Sequence, residues 1–304
     1  MGLPVLRYIA GRVALVGLAA VILSWTVFLL AHALPGNPFS GSERMTDRRE
    51  QILLERAGLN DPYPLQYLHW LQSYFTGGLS SLLLQEAWIS IRLGLLALLL
   101  IVVIGTWAGV AAAARHRTAT DQVVMLGASV AYAVPNFIWA MWISFFFTAI
   151  LYRLTGGILY VDVFWRSDPI HWLLPATALA LPQVGFIARV VRASVLDALG
   201  QDYVRTAWAK GLKERTVLAR HALRNALIPV VTLMGPIAVT TLMGSIVVEN
   251  AFGIPGLGPE LIESIFARDY FVVTGVFTYY SVLAGLAMLS VDIAYTAVDP
   301  KIRY

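Results

Sequence analysis

Six long apolar runs, at about 9–34, 88–114, 122–151, 171–191, 226–248 and 271–298, leave this chain few ways to fold. Each reaches or passes the roughly 20 residues that carry a helix across a bilayer. In hydrocarbon every backbone N–H and C=O must be satisfied within its own segment, so runs of this length predict helices. Composition agrees, since 58% of the 304 residues are hydrophobic and only 13% are charged, far too apolar for a soluble domain. The expectation is an all-α membrane protein, a single domain over 1–304 with six transmembrane helices. The first run is too long for a signal-peptide core and reads as a retained helix. The third, at about 30 residues, must tilt or project, and Pro135 is expected to kink it. Gly235, Pro236 and Gly244 in the fifth suggest close packing and a flexible backbone.

Charge sets the expected orientation, because Lys and Arg are retained on the cytoplasmic side. Fourteen of the 22 fall on one side of the six-span topology: Arg7, Arg12, Arg115, Arg117, the eight from Arg189 to Arg224, Lys301 and Arg303. Both termini are therefore expected inside. The segment 35–87 turns polar and carries two amphipathic stretches, TDRREQILLERAG and PLQYLHWLQSYF, which read as an external helical subdomain capping the membrane. The segment 192–225 is expected to be a cytoplasmic loop. Within it Asp202 suits an N-cap, no breaker interrupts Tyr203 to Lys210, and Gly211 suits the left-handed residue that ends a helix.

Several chemistries are excluded. A P-loop needs Gly-Lys-Ser/Thr, and the three lysines are followed by Gly211, Glu214 and Ile302. The five histidines are scattered over different spans and loops, with no His-Glu-x-x-His, so no metal site is expected. There is no Cys for a disulfide or a thiolate. Ser245 is a nucleophile candidate by composition only, and no catalytic residue is assigned. Asp292, about two turns from the inner end of the last span, is a functional candidate as an intramembrane charge. Its structural reading is an ion pair with Arg189 or Arg192 of the fourth span.

Four separated motifs carry a family resemblance. Y-V-R-T-A-W-A-K-G-L followed by H-A-L-R-N-A resembles the cytoplasmic loop of ABC-importer permeases of the peptide/nickel branch. Ala207 and Gly211 match the general Glu-Ala-Ala, three residues, Gly pattern, whereas Arg205 and Thr206 replace its Glu and Ala, and His221 and Arg224 its Ile and Pro. AGLNDPYPLQYLHWL resembles a recurrent segment between that family's first two spans. Glu249 with FGIPGLG resembles its E-x-x-F-x-x-P-G-x-G, in which Pro255 and Gly256 read either as a connector or as a gate. Asp292, Tyr295, Asp299, Pro300, Lys301, Ile302 and Arg303 fit its usual ending.

The resemblance implies a type I ABC-importer permease, the B-type subunit of a dipeptide/oligopeptide system in a bacterial or archaeal plasma membrane. Implied partners are a homologous second permease, two ATPase subunits that bind the ATP and Mg, and an external substrate-binding protein. No cofactor is implied in this chain and no nucleic acid. Tyr203, Val204, Arg205, Ala207, Ala209, Lys210, Gly211 and Leu212 would form a coupling helix docking in an ATPase groove. There Ala207 and Gly211 would permit close approach, and Arg205 and Lys210 would supply charge. The residues alone equally fit a loop held to anionic lipid. Nickel, glutathione, heme or oligosaccharide are alternative cargoes, and no residue is assigned to substrate contact. An ion-coupled secondary transporter would be expected to show inverted repeats and midplane charges, of which Asp292 is the one candidate. A membrane scaffold without transport is the third reading.

Overall fold

The computed structural model describes residues 3–33, 37–39, 47–76, 78–158, 166 and 170–298. The tail motif from Asp299 to Arg303 and the side chains of Arg215, His221 and Tyr295 lie outside the described residues. Among those described, all regular elements are helices. They are α1 (Leu3–His32), α2 (Asp47–Arg56), α3 (Tyr63–Thr76), α4 (Gly78–Leu100), α5 (Thr106–Ala114), α6 (Ala119–Ala133), α7 (Asn136–Phe145) and α8 (Leu151–Leu154). After them come α9 (Ile170–Leu199), α10 (Asp202–Ala209), α11 (Glu214–Thr216), α12 (Leu223–Ala226), α13 (Ile228–Phe252), α14 (Leu257–Ala267) and α15 (Tyr270–Val298). Short π-helical turns join α4 to α5, α7 to α8 and α11 to α12. Among the described residues, six stretches are long and apolar enough to cross a membrane: Arg7–His32, Leu83–Ala114, Asn136–Leu154, His171–Leu199, Leu223–Phe252 and Tyr270–Ile293.

Two expectations change. The third run is not one kinked helix but two, because Val134 (φ −90°, ψ 122°) and Pro135 (φ −57°, ψ 148°) are extended. Proline lacks the N–H that would continue the ladder, and its ring drives the preceding residue out of the α region. Val134, β-branched, settles readily in the extended region. The fourth run does not end near residue 191 but continues as helix to Leu199, so the segment expected as a loop from 192 begins helical. Arg189 and Arg192, the charges that suggested an end, are accommodated within the fold.

The chain forms two compact units, residues 1–90 with 255–286, and 91–254 with 287–304. In the first, the polar segment expected as a cap supplies α3, whose Gln66, Tyr67, Trp70 and Tyr74 are buried. The Ser24 and Tyr67 hydroxyls lie 2.6 Å apart, joining α1 to α3, and Tyr67 meets Trp25 and Phe28 edge-on. The Trp70 indole donates to the Phe271 carbonyl at 3.0 Å, tying α3 to α15.

The second unit is built around α9, which touches α5, α6, α7 and α13. Ala176, Ala178, Ala180 and Ala188 on it are fully buried. Small residues let these backbones approach closely, the usual means of helix association in lipid. A Cβ on Gly109 of α5 would lie 2.6 Å from the Ala188 carbonyl, and one on Gly185 of α9 would collide with the Ala128 carbonyl of α6. This contact holds the C-terminal half of α6 against the middle of α9.

Candidate functional site

At the C-terminal end of α9, only Gly200 and Gln201 separate it from α10. An eight-residue helix is marginal alone. Here Val204 and Ala207 form a small buried cluster with Val217, against which Leu199 and Leu212 pack. Its C-terminus closes tightly. Gly211 takes φ +73°, its N–H donates to the Trp208 carbonyl at 2.9 Å, and the Leu212 N–H donates to the Ala207 carbonyl at 3.4 Å. These two bonds, with Leu212 packed beside Ala207, make a Schellman cap. At the other end Asp202 is not the N-cap. Gln201 holds that position, without a side-chain bond, and Asp202 lies in the first turn, where its charge favours the helix N-terminus.

Ala207 is 3% exposed, so its small size serves packing within the chain and not a partner's approach. Gly211 is exposed with open space where a Cβ would stand, so its glycine serves the left-handed turn. The outward face carries Asp202, Arg205, Thr206 and Ala209, flanked on one side by half-exposed Tyr203 and on the other by half-exposed Trp208, with Lys210 exposed at the end. Arg205 lies 3.4 Å from Asp202, an exposed pair of little energetic weight. Trp208 was not singled out from sequence, since it fills a free position in the motif.

Arg192 has a different partner from the one expected. Asp121, in the first turn of α6, accepts from its Nε at 2.6 Å and from its Nη2 at 2.7 Å, a bidentate pair, and also accepts the Arg117 N–H at 3.0 Å. The carboxylate is 5% exposed. His116 Nδ1 lies 3.1 Å from Arg192 Nη2. The Arg192 guanidinium, above all, holds the Asp121 carboxyl well below the usual carboxylate range. The sequence signal was an acidic residue opening a helix directly after Arg115-His116-Arg117, but its pairing with α9 is a tertiary contact. Arg189 stacks its guanidinium 4.3 Å from the Tyr132 ring centre. Asp292 is half-buried on α15. Glu249 is fully buried in the last turns of α13, which Gly253 caps at φ +63°. Pro255 is exposed, and Gly256 is the extended N-cap of α14, so this motif is a link between helix ends.

A second feature was not visible in the sequence. Where α6 breaks from α7, a cavity of about 220 Å³ opens against Pro182 and Gln183 of α9 and Thr240 and Thr241 of α13. The break frees polar backbone: among the described residues no N–H donates to the Tyr132 or Ala133 carbonyl, and the Asn136 N–H has no backbone acceptor. The Asn136 carboxamide donates to the Gly244 carbonyl at 3.2 Å, and Gln183 Nε2 donates weakly to Thr240 Oγ1 at 3.3 Å. Thr241, 2% exposed, has a hydroxyl with no hydrogen-bond partner among the described residues.

Residues 101–304 match the family described as binding-protein-dependent transport system inner membrane component. The dipeptide transport system permease protein of Bacillus subtilis (strain 168) is 36% identical over 98% of each chain. The oligopeptide transport system permease protein of Escherichia coli (strain K12) is 32% identical over 91% of this chain and 92% of its own. Among solved structures, a methionine ABC transporter in inward-facing conformations superposes with a TM-score of 0.54 at 18% identity, over 72% of this chain and 97% of that one. An amino acid ABC transporter gives 0.54 at 14% identity, over 72% and 94%. These superpositions show the fold.

Proposed function

The chain belongs to the family of inner membrane components of binding-protein-dependent transport systems, and from that premise we propose that it imports di- or oligopeptides and takes its driving force through α10. It is a multi-pass inner-membrane permease subunit of an ABC transporter, with six membrane-crossing helices in the type I importer fold. Peptide cargo is supported by relatives of full-length similarity whose names specify dipeptides and oligopeptides.

The observation that carries the coupling role is the construction of α10. Its inner face is packed through Val204 and Ala207 against Val217 and Leu199, and its end is closed by the Gly211 cap, so the helix is seated against the end of α9. Its outer face offers Arg205 and Ala209 between two aromatic flanks, a ridge suited to a groove on an ATPase subunit. That ATPase would hold the ATP and Mg, the permease working beside a homologous second permease and an external binding protein. The basic loop would then lie in the cytoplasm with both termini. Nucleotide binding shifts the complex between inward- and outward-open states only through differential affinity for them, and α10 would transmit that preference to α9.

The test is native mass spectrometry on the tagged chain gently extracted from its own membranes, with ligand released from any co-purifying binding protein identified. A second permease, ATPase subunits and a bound peptide are expected. A lone chain or homo-oligomer from membranes active in uptake would overturn the reading.

A further inference from the structure

We propose that the cavity at the α6–α7 break is a subsite for a single uncharged main-chain amide of the cargo during passage. The inference rests on the peptide reading above and adds to it the place and chemistry of contact.

The cavity presents unused hydrogen-bonding capacity of both kinds. The Asn136 N–H and the Thr241 hydroxyl donate, and the Tyr132 and Ala133 carbonyls accept. Gln183, whose side chain makes one long bond among the described residues, to Thr240, offers a carboxamide able to do both. A helix in lipid that leaves such groups open costs free energy unless something else meets them. Thr241 sharpens the point. A helical threonine ordinarily bonds a carbonyl in its own preceding turn, as Thr232 and Thr278 do. Thr241 lines the cavity with that bond unmade.

What would fit follows from charge and size. Among the described residues, no Asp, Glu, Lys, Arg or His lines the cavity. A charged group entering it would lose water without gaining a counter-charge, so a terminus or ionised side chain is disfavoured. A peptide amide carries one donor and one acceptor and no net charge. The volume of about 220 Å³ is below the roughly 300–1,000 Å³ of a site that encloses a whole small molecule. It therefore suits one segment of an extended cargo. Being uncharged and indifferent to side chains, such a subsite would serve peptides of many sequences.

The experiment uses the complete transporter in proteoliposomes, with binding protein preloaded to equal occupancy with trialanine or with trialanine N-methylated at both peptide nitrogens. Wild type is expected to import trialanine and to discriminate against the methylated form. Thr241→Val and Gln183→Leu are each expected to lower trialanine import about fivefold, the effect of one lost hydrogen bond. Gln183→Leu, which removes an oxygen able to accept a peptide N–H, should shrink the discrimination to within about twofold, whereas Thr241→Val removes a donor to a peptide carbonyl that N-methylation spares and should leave it intact. Both should leave ATP hydrolysis stimulated by loaded binding protein unchanged. Trialanine import at the wild-type rate in both variants, or discrimination left intact in Gln183→Leu, overturns the subsite. Loss of the ATPase stimulation together with import also overturns it, by marking a structural role. If wild type imports no peptide at all, the peptide reading falls and the subsite falls with it.

Discussion

The two halves of α9 handle polar groups in opposite ways. Toward its C-terminus, Arg192 is gripped by both oxygens of Asp121, and Leu199 runs into a small core that holds α10. In its middle, Pro182 and Gln183 face a broken helix whose carbonyls and N–H, like the Thr241 hydroxyl of α13 beside it, lack partners among the described residues. One end uses its polar residues to fix the structure. The other keeps them available. A transport subunit needs both, a stiff end to receive displacement and a polar surface that lipid does not satisfy, and a single helix supplies them in series.

The largest effect should come from breaking the satisfied end. Asp121→Asn keeps the shape but leaves Arg192 without a counter-charge. Removing one partner of a buried pair costs about 3–5 kcal/mol, and the lower figure applies because Arg192 is 25% exposed. The purified complex should therefore melt well below wild type, and Asp121→Leu combined with Arg192→Leu should recover part of the loss. The sign with pH follows from the depressed Asp121 value. Stability from this pair is fully present above the unfolded carboxylate value of about 4 and fades as pH falls below it. Wild type and Asp121→Asn should differ by a constant amount from pH 5 to pH 8 and converge in acid. Equal melting at pH 7 would show that the pair fixes nothing.

A smaller effect separates the two faces of α10. Ala207→Leu overfills the cluster with Val204 and Val217 and should destabilise the complex by about 1–3 kcal/mol. Ala209→Leu, on the exposed face, should leave melting unchanged while weakening recovery of ATPase subunits in a pull-down. If Ala209→Leu melts early and Ala207→Leu does not, the inner and outer faces are assigned backwards.

How much of this was readable beforehand depends on the range of the forces. The positions of the long helices follow from apolar runs, and the end of α10 follows from Gly211, because both are set by residues close in sequence. The direction α10 faces was not readable. Ala207 as a partner contact and Ala207 as core look alike until Val217 and Leu212 are packed against it. The sequence offers Asp292 a pairing with Arg189 or Arg192 because all three sit near the ends of spans, whereas the carboxylate that holds Arg192 lies 71 residues from it. Pro135, Pro175, Pro182 and Pro236 are the same residue in apolar runs, yet only Pro135 divides its helix. A β-branched Val134 before it was the local clue, and the glycine contact that holds α6 on α9 was the tertiary one.

The smallest effect is the most pointed, because it tests the unsatisfied half by the same operation used on the satisfied half. Thr241→Val exchanges a buried hydroxyl for a methyl of similar size. In a well-bonded site such a change costs about 1 kcal/mol, and more where a partner is left stranded. The Thr241 hydroxyl has no partner among the described residues to strand. Removing it should leave the melting temperature of the complex unchanged or raise it slightly, since a desolvated polar group without a bond is itself unfavourable. Asp121→Asn and Thr241→Val, each close to isosteric, would then differ by about 3 kcal/mol or more in stability. A loss of stability for Thr241→Val as large as that for Asp121→Asn would mean that the hydroxyl is already satisfied in the assembled transporter. The contrast between the two halves of α9 would then disappear.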